Sequence, residues 1–209
     1  MPPKKKKEAP TVSNKNNRVL LAMSGGVDSS AAALLLKKRG FEVIGGTMLL
    51  LYGETALNGV KDAKAAAHRL GIPHYTFDFR ERFAKEVIRR FNDGYLSGLT
   101  PNPCVDCNRF LKFSAMIEEA DKLDCFYLAT GHYARVEYDG ENKTYLLKKA
   151  VCGGGINPKD QSYVLYNLTQ KQLERVIFPL GDITKEEVRR LAEESGLPNS
   201  GKSDSQDIC

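Results

Sequence analysis

A glycine- and serine-rich string near the amino terminus, Ser24-Gly25-Gly26-Val27-Asp28-Ser29-Ser30, has residue types that can bind phosphate. Its glycines let backbone N–H groups approach a phosphate closely, and the hydroxyl groups of Ser24 and Ser29 can donate hydrogen bonds. Asp28 is unsuited to a bare phosphate, so we expect Mg²⁺ between its carboxylate and a pyrophosphate. The string lacks the Gly-Lys-Ser/Thr ending of kinases and GTPases, which disfavours γ-phosphate transfer. The plain alternative is a turn that only joins a strand to a helix.

Two cysteines form the second candidate group, in Pro101-Asn102-Pro103-Cys104-Val105-Asp106-Cys107-Asn108. The two prolines favour an extended loop that holds a thiol in a fixed, reachable place. We expect a helix from Phe110, so Cys107 lies near a helix amino terminus and beside the cation Arg109. Both features lower a thiol pKa and raise the fraction of thiolate.

A Cys-x-x-Cys pair alone fits zinc, a redox pair or a cluster equally well. Structural zinc needs a second pair, and the other cysteines, Cys125, Cys152 and Cys209, do not supply that spacing. Cys125 begins an apolar run and is expected in the core, whereas Cys152 has no context that assigns it a role. Five cysteines without an export signal argue against a disulfide scaffold.

Alternating apolar and amphipathic segments must position these groups. Short apolar runs bounded by glycine-ended helical patterns predict a doubly wound α/β fold with a parallel sheet, which binds ligands at the carboxyl ends of its strands. The predicted strands are 19–23, 41–48, 74–79 and 126–130. The predicted helices are 28–39, 60–70 and a helix–loop–helix over 81–123.

The pattern changes after Gly131. A β-hairpin is predicted over 134–138 and 144–148, a helical stretch over 161–168, and a helix from a capping box at Thr184 through Ser195. We therefore divide the chain into a tail (1–17), a nucleotide-binding domain (18–133) and a mixed hairpin and helical region (134–209).

Composition and charge suit a globular protein. Hydrophobic residues make up 42% and charged residues 27% of the 209 residues, and no apolar run approaches the roughly 20 residues that span a bilayer. Five Lys and one Glu lie in residues 1–17, so most of the net charge of +5 belongs to a tail expected to be disordered. Its Pro-Pro-Lys-Lys-Lys-Lys start is a weak match to a nuclear-import signal and a poor organellar transit peptide. We expect an intracellular, cytoplasmic protein without a membrane segment; an organelle is the alternative.

The nucleotide string resembles the pyrophosphate loop of ATP pyrophosphatases, of the adenine-nucleotide α-hydrolase type, which cleave ATP between the α and β phosphates. Together with NPCVDCNRFLKF, ATGHYARV, NPKDQSYVLYNL, FPLGDITKEEVR and KSDSQDIC, it resembles the tRNA-specific 2-thiouridylases over residues 18–209. That resemblance implies an ATP site, a tRNA-contacting group, a catalytic thiol and a persulfide carrier. The implied ATP-binding residues are Ala22, Met23, Ser24, Gly25, Gly26, Val27, Asp28, Ser29, Met48 and Gly131. The implied base and tRNA contacts are Asn102, Pro103, Cys104, His132, Lys159, Asp160 and Gln161. Cys107 would be the catalytic thiol and Cys209 the persulfide carrier.

Two departures from the family pattern matter. Many members have Asp where this chain has Cys104, so Cys104, Cys107 and Cys209 could instead hold an iron–sulfur cluster. The family also continues past the last motif into β-rich domains that help to bind tRNA, so the chain is expected to be a fragment or a reduced form. Met48, His68 and His74 each have an ordinary structural interpretation.

The implied reaction is tRNA 2-thiolation. ATP adenylates the C2 oxygen of a wobble uridine, and sulfur from a persulfide donor, such as a cysteine desulfurase relay, replaces that oxygen. The alternatives are another adenylating enzyme, such as an ammonia-using synthetase, and a tRNA-binding fragment with little turnover.

Overall fold

A computed structural model describes residues 17–202, so the predicted tail (except Asn17) and Cys209 lie outside the described residues. Nine strands are present in that range. They are β1 Arg18–Ala22, β2 Glu42–Leu49, β3 His74–Asp78, β4 Tyr127–Thr130, β5 Ala134–Asp139, β6 Thr144–Lys149, β7 Val151–Cys152, β8 Gly155–Ile156 and β9 Val176–Ile177.

Five parallel strands form the central sheet, in the order β3-β2-β1-β4-β9. Val19, Leu20 and Leu21 of β1 are fully buried, as a central strand covered on both faces requires. The chain builds outward from β1 to β3 and then returns to place β4 on the other side of β1. This reversal creates a switch point at the carboxyl ends of β1 and β4, where open α/β sheets bind ligands. The predicted doubly wound parallel sheet is confirmed.

Six α-helical elements accompany the sheet in the described range. They are α1 Val27–Lys38, α2 Glu54–Leu70, α3 over residues 80–96, α4 over residues 103–122, α5 Gln170–Leu173 and α6 Lys185–Glu194. The middle turns of two of them are π-helical, Ala84–Ile88 in α3 and Asn108–Ala115 in α4. None of the helices among residues 17–202 is both long and apolar enough to cross a membrane.

The start of α4 corrects one prediction. Residues 103–107 are helical rather than extended, so the helix begins seven residues before Phe110. Proline is well suited to the first position of a helix, where its missing N–H has no intrahelical partner. Asn102 caps the helix, because its side chain accepts a hydrogen bond from the Cys104 N–H at 3.0 Å.

A second correction concerns residues 161–168, which form one short 3₁₀ turn, Ser162–Val164, instead of a longer helical stretch. The backbone N–H of Gln161 donates to the Tyr133 carbonyl at 2.8 Å, and its side-chain oxygen accepts from the Tyr133 N–H at 3.1 Å. These bonds tie the segment to the end of β4 in place of a regular helix. In addition, α2 begins at Glu54, before the predicted start at Val60. The sequence pattern did not indicate its first turn, because that turn is largely exposed and carries no apolar periodicity.

The region after residue 134 forms the predicted β5–β6 hairpin and adds to the central sheet. β9 pairs with β4, and Val188 and Ala192 of α6 join the core cluster that contains Ala31 and Ala32 of α1. The predicted capping box is present, since Thr184 and Glu187 exchange hydrogen bonds of 2.7 and 3.1 Å. This packing brings late parts of the chain to the helix that follows the nucleotide string; the division at residue 133 stays a prediction.

Candidate functional site

The predicted nucleotide loop lies between β1 and α1, at the switch point of the sheet. Gly25 has a φ of +81°, and a Cβ there would lie 2.5 Å from the Gly59 carbonyl oxygen. Only glycine fits this turn. Gly131, just after β4, is less restricted, but a Cβ there would lie only 3.0 Å from the backbone nitrogen of Ser29. Both glycines therefore allow the backbone to close tightly around the loop.

Serine hydroxyl groups fix the shape of this loop from within. Ser29 Oγ accepts from the Ser24 N–H at 3.3 Å and donates to the Gly26 carbonyl at 3.1 Å. Ser30 Oγ donates to the same carbonyl at 3.2 Å. Ser24 Oγ accepts from the Gly26 N–H at 3.4 Å, which is a long contact. The sequence predicts that the hydroxyl groups of Ser24 and Ser29 bind phosphate. The Ser29 hydroxyl is already hydrogen-bonded within the loop, whereas the Ser24 hydroxyl makes only one long hydrogen bond there.

Asp28, the predicted magnesium ligand, is bonded by residues from two distant segments. Its Oδ1 accepts from the Tyr133 hydroxyl at 2.9 Å and from Lys185 Nζ at 2.7 Å. The Lys185 side chain is only 8% exposed, whereas that of Asp28 is 34% exposed. One carboxylate at a helix amino terminus fits Mg²⁺, which prefers one or two carboxylates together with substrate phosphates.

Asn199 holds the same loop from the carboxyl-terminal side. Its buried side chain donates to the Gly25 carbonyl at 3.0 Å and to Ser30 Oγ at 2.9 Å. Sequence reasoning missed Asn199 and treated Lys185 only as part of a capping box. A lysine inside an otherwise exposed helical turn carries no local signal, because its burial depends on how α6 packs against α1.

The cysteine helix α4 places its two thiols differently. Cys104 is the second residue of the helix and is half-buried, whereas Cys107 lies one turn later and is 5% exposed. Cys107 packs in an apolar cluster with Phe83, Val87 and Leu111. The residue at the helix amino terminus is therefore Cys104, and the prediction that Cys107 lies there is corrected.

Met48, the predicted adenine contact, lies in β2 near its carboxyl end. It packs against the Cys107 cluster and also against the larger core cluster that Cys104 contacts. Ala22 ends β1, and the Met23 N–H donates to the Gly46 carbonyl at 2.8 Å. The candidate nucleotide and thiol groups therefore share apolar neighbours.

His132 directly follows Gly131, one of the predicted ATP-binding residues. Its Nδ1 is 2.7 Å from Thr130 Oγ1, and its ring contacts those of Phe113 and Phe178, with centroid distances of 6.0 and 6.2 Å. Burial, and secondarily the charge of Lys112, lower the pKa of His132 well below its ordinary value. His132 is therefore neutral near pH 7.

Residues 159–161 are engaged within the chain. Asp160 accepts from the Ala150 N–H at 2.7 Å and from the Ser162 hydroxyl at 2.8 Å. Gln161 binds the Tyr133 backbone as described above. The Lys159 backbone N–H donates to Asn157 at 2.9 Å. The Asp160 and Gln161 side chains thus position neighbouring backbone, and their contact with RNA stays a prediction.

Cys125 is confirmed as a core residue. It is 1% exposed, and burial raises the pKa of its thiol. Within residues 17–202 no group of three His, Cys, Asp or Glu side chains is arranged to hold a metal ion. Cys209, the third thiol of the expected iron–sulfur ligand set, lies outside that range.

Comparison with known proteins identifies the family. A family model described as the tRNA methyl transferase HUP domain matches residues 17–209. A tRNA-specific 2-thiouridylase from Caldanaerobacter subterraneus subsp. tengcongensis is 53% identical over 182 residues, and one from Clostridioides difficile is 48% identical over 180 residues. The chain belongs to the tRNA-specific 2-thiouridylase family.

The alignments with the 2-thiouridylases cover only part of those proteins. Each alignment covers 82% of this chain and 49% of the relative, so the chain spans about half the length of the curated relatives it matches. The predicted family resemblance is confirmed.

Solved structures share the fold at low identity. The U34-tRNA thiolase NcsA from Methanococcus maripaludis, described with its [4Fe-4S] cluster, aligns with a TM-score of 0.59 at 19% identity, over 94% of this chain and 62% of that one. A 4-thiouridine synthetase bound to RNA and ATP aligns at 0.58 and 21% identity, over 92% of this chain and 44% of that one. The NMN synthetase of Francisella tularensis aligns at 0.54 and 17% identity, over 92% and 67%. Because thiolases and a synthetase share this fold, the fold alone does not select the nucleophile.

Proposed function

We propose that this chain is the ATP-using part of a tRNA 2-thiouridylase, which adenylates the C2 oxygen of a wobble uridine and replaces it with sulfur. The observation that carries the proposal is the Asp28 site at the switch point of the sheet, in a sheet whose strand β2 packs Met48 against the clusters of both thiols. The names of the curated relatives support the same reaction.

The first step needs groups that favour the departure of pyrophosphate. The uridine C2 oxygen attacks the α-phosphorus of ATP, the bond between the α-phosphorus and the bridging oxygen breaks, and pyrophosphate leaves. The backbone N–H groups of the Ser24–Ser30 loop and the amino terminus of α1 would bind the phosphates. Asp28 would hold Mg²⁺, which supplies charge neutralisation when bound, and Lys185 would add a cation beside it. Met48 and Gly131 would lie against the nucleoside.

In the second step the activated base takes up sulfur. The terminal sulfur of a Cys209 persulfide attacks C2, and AMP leaves with the C2 oxygen. The Cys107 thiolate then attacks the Cys209 sulfur. The persulfide bond breaks, its electron pair stays on the sulfur bound to C2, and a Cys107–Cys209 disulfide forms. An external thiol must reduce that disulfide before the next turnover.

The buried position of Cys107 sets one requirement on this route. A thiol with 5% exposure cannot meet a base or a persulfide without movement of its surroundings. The π-helical turns of α3 and α4 flank Cys107, and such irregular turns are frequent at functional sites. We therefore propose that tRNA binding opens this cluster, while Asn102, Pro103 and Cys104 contact the base and His132 and residues 159–161 contact the RNA.

The cofactors and partners of the proposed reaction follow from it. They are ATP, Mg²⁺, a tRNA with a wobble uridine, and a persulfide donor such as a cysteine desulfurase relay, in the cytoplasm. An iron–sulfur cluster is the alternative to the persulfide. Cys104 and Cys107 fit the donor chemistry of a cluster, since cysteine thiolates ligate such clusters and the two residues lie one helical turn apart.

Pyrophosphate release from ATP, measured with and without tRNA, tests the proposal. We expect release that depends on tRNA, its loss in Asp28→Asn, and its retention in Cys125→Ala, which changes a core thiol far from this chemistry. Release driven by ammonia without tRNA would indicate a synthetase. RNA binding without any release would indicate a binding fragment.

A further inference from the structure

Six side chains on and beside the cysteine helix, four of them exposed and two half-buried, form a cationic and aromatic surface that the proposed reaction does not use. Arg109 and Phe110 come from the cysteine helix α4, and Arg90 comes from α3. The segment 163–167 supplies Tyr163, Tyr166 and Asn167. We propose that this stacking surface binds an unpaired RNA segment that flanks the target nucleotide. The inference rests on the proposed function and extends it to a site that sequence reasoning did not find.

A buried hydrogen bond joins the two segments of the stacking surface. Asn108 Nδ2 donates to the Val164 carbonyl at 3.1 Å, and Asn108 is only 2% exposed. Arg109 and Phe110 directly follow Asn108, and Val164 directly follows Tyr163. The aromatic turn is therefore held against the helix that begins with the predicted base-contacting residues.

The cationic part of the surface is two arginines on one aromatic ring. The guanidinium carbons of Arg90 and Arg109 lie 4.6 and 4.9 Å from the centroid of Phe110. Arg90 is paired with Glu86 at 3.4 Å, whereas no carboxylate within residues 17–202 lies at ion-pair distance from Arg109. Arg109 thus presents an uncompensated charge on a flat group, which suits a phosphate or the face of a base.

The aromatic part is two exposed tyrosines. Tyr163 and Tyr166 are 66% and 67% exposed, and their hydroxyl groups form no hydrogen bond with other described residues. Exposed aromatic rings next to cations are the usual platform for unpaired nucleotides, because each base stacks on a ring while its phosphate meets a cation.

An open cleft of about 310 Å³ lies beside the cationic part of the surface. Arg109 and Phe110 line one side, and Asn167, the residue after Tyr166, lines the other. The Asn167 amide has no hydrogen-bond partner in the described part of the chain, so both its donor and its acceptor can meet the edge of a base. The volume lies at the small end of the range for ligand sites, as expected for a single base.

Tyrosine, arginine and phenylalanine are also enriched at protein interfaces. RNA is favoured here because the uncompensated cation lies two residues from Cys107 and next to a cleft lined by an amide, rather than beside an aliphatic patch. A protein partner is the competing outcome of the test.

The test compares binding of two probes to single-residue variants of the 209-residue chain. One probe is a fluorescent RNA stem-loop with an unpaired uridine-containing loop, and the other is a fully paired RNA duplex of equal length. The variants are Arg109→Gln and Tyr166→Leu. Two control variants remove one cation and one exposed tyrosine elsewhere: Lys38→Gln, at the far end of α1 from the nucleotide loop, and Tyr75→Leu, on the edge strand β3.

We expect each surface variant to weaken stem-loop binding by about tenfold and to leave duplex binding within about twofold, whereas the controls change neither. Arg109→Gln should also reduce the slope of log affinity against log salt, by about 0.7, and Tyr166→Leu should not. ATP binding and the urea midpoint of every variant confirm that the fold is intact.

The outcomes separate the two proposals. If the unchanged chain binds the stem-loop and both variants bind it equally well, the surface does not bind RNA, which is the result expected of a surface that contacts a protein. If the unchanged chain neither binds the stem-loop nor releases pyrophosphate, the proposed function fails together with this inference.

Discussion

The ammonium group of Lys185 lies 2.7 Å from Asp28 Oδ1, although 157 residues separate the two in the sequence. A buried lysine is costly unless a carboxylate accompanies it. The pair therefore couples the position of α6 to the nucleotide loop. If Mg²⁺ binds Asp28, the Lys185 ammonium group is also placed to interact with a bound phosphate.

This pair predicts a stability effect of Asp28→Asn. The variant leaves the ammonium group without its carboxylate, so we expect the free energy of unfolding to fall by about 1–3 kcal/mol in the absence of ATP. Adding Lys185→Met to Asp28→Asn should recover much of that loss, because no buried charge then remains. Urea unfolding of both single variants and the double variant measures the effect. Strictly additive losses would show that the two groups do not interact.

Asn199→Ala should weaken ATP binding with little effect on RNA binding. The substitution removes the two hydrogen bonds that hold Gly25 and Ser30, so the loop amides lose their fixed orientation. We expect about a fivefold to twentyfold rise in the dissociation constant for ATP, measured by titration calorimetry. Asn92→Ala, in the exposed part of α3, is the matched control. An unchanged ATP affinity in Asn199→Ala would contradict this role.

Three serine variants decide how sulfur is delivered. On the persulfide route Cys107→Ser and Cys209→Ser each stop thiolation, while Cys104→Ser keeps most of it. On the cluster route all three are inactive and anaerobic protein contains iron and labile sulfide. We expect the persulfide pattern. Stoichiometric iron together with an inactive Cys104→Ser would reverse that choice, and Cys152→Ser is the control.

RNA binding by this chain should be weak and should depend strongly on salt. Most of the formal charge lies in residues 1–17, so we expect the binding to be mainly a charge attraction to phosphates, which salt weakens. Affinity for tRNA measured at several salt concentrations tests this. Tight binding that salt leaves unchanged would contradict it.

Stability should fall as the pH drops below about 6.5. Burial lowers the pKa of His132 and of His74 in the folded chain, whereas both titrate near 6.5 when unfolded. The unfolded chain therefore binds more protons below that pH, and the free energy of unfolding decreases until the folded pKa is reached. His132→Gln should flatten this dependence between pH 5 and 7, as measured by urea unfolding. His68→Gln, at an exposed helical position, should leave it in place.

Local sequence patterns were sufficient to predict the central sheet and the nucleotide loop. The apolar run of β1, the glycines at positions 25 and 131 and the Thr184 capping box each carry their structural meaning in adjacent residues. Other features depend on distant contacts. β9 has only two residues, so no periodicity could indicate it, and the burial of Lys185 and Asn199 arises from packing across the chain. The start of α4 was missed because proline fits both an extended loop and a first helical turn.

The pairing of β9 with β4 also has a consequence for folding. Its partners in the sheet come from much earlier in the chain, and the loop between β1 and α1 is held by Lys185 and Asn199. A nascent chain that has been synthesised only through β4 therefore has an unpaired sheet edge at β4. Its nucleotide loop also lacks the hydrogen bonds from Lys185 and Asn199. During synthesis the candidate ATP site would be completed last, so long-range closure, rather than formation of the first strands, should limit how fast the chain becomes able to bind nucleotide.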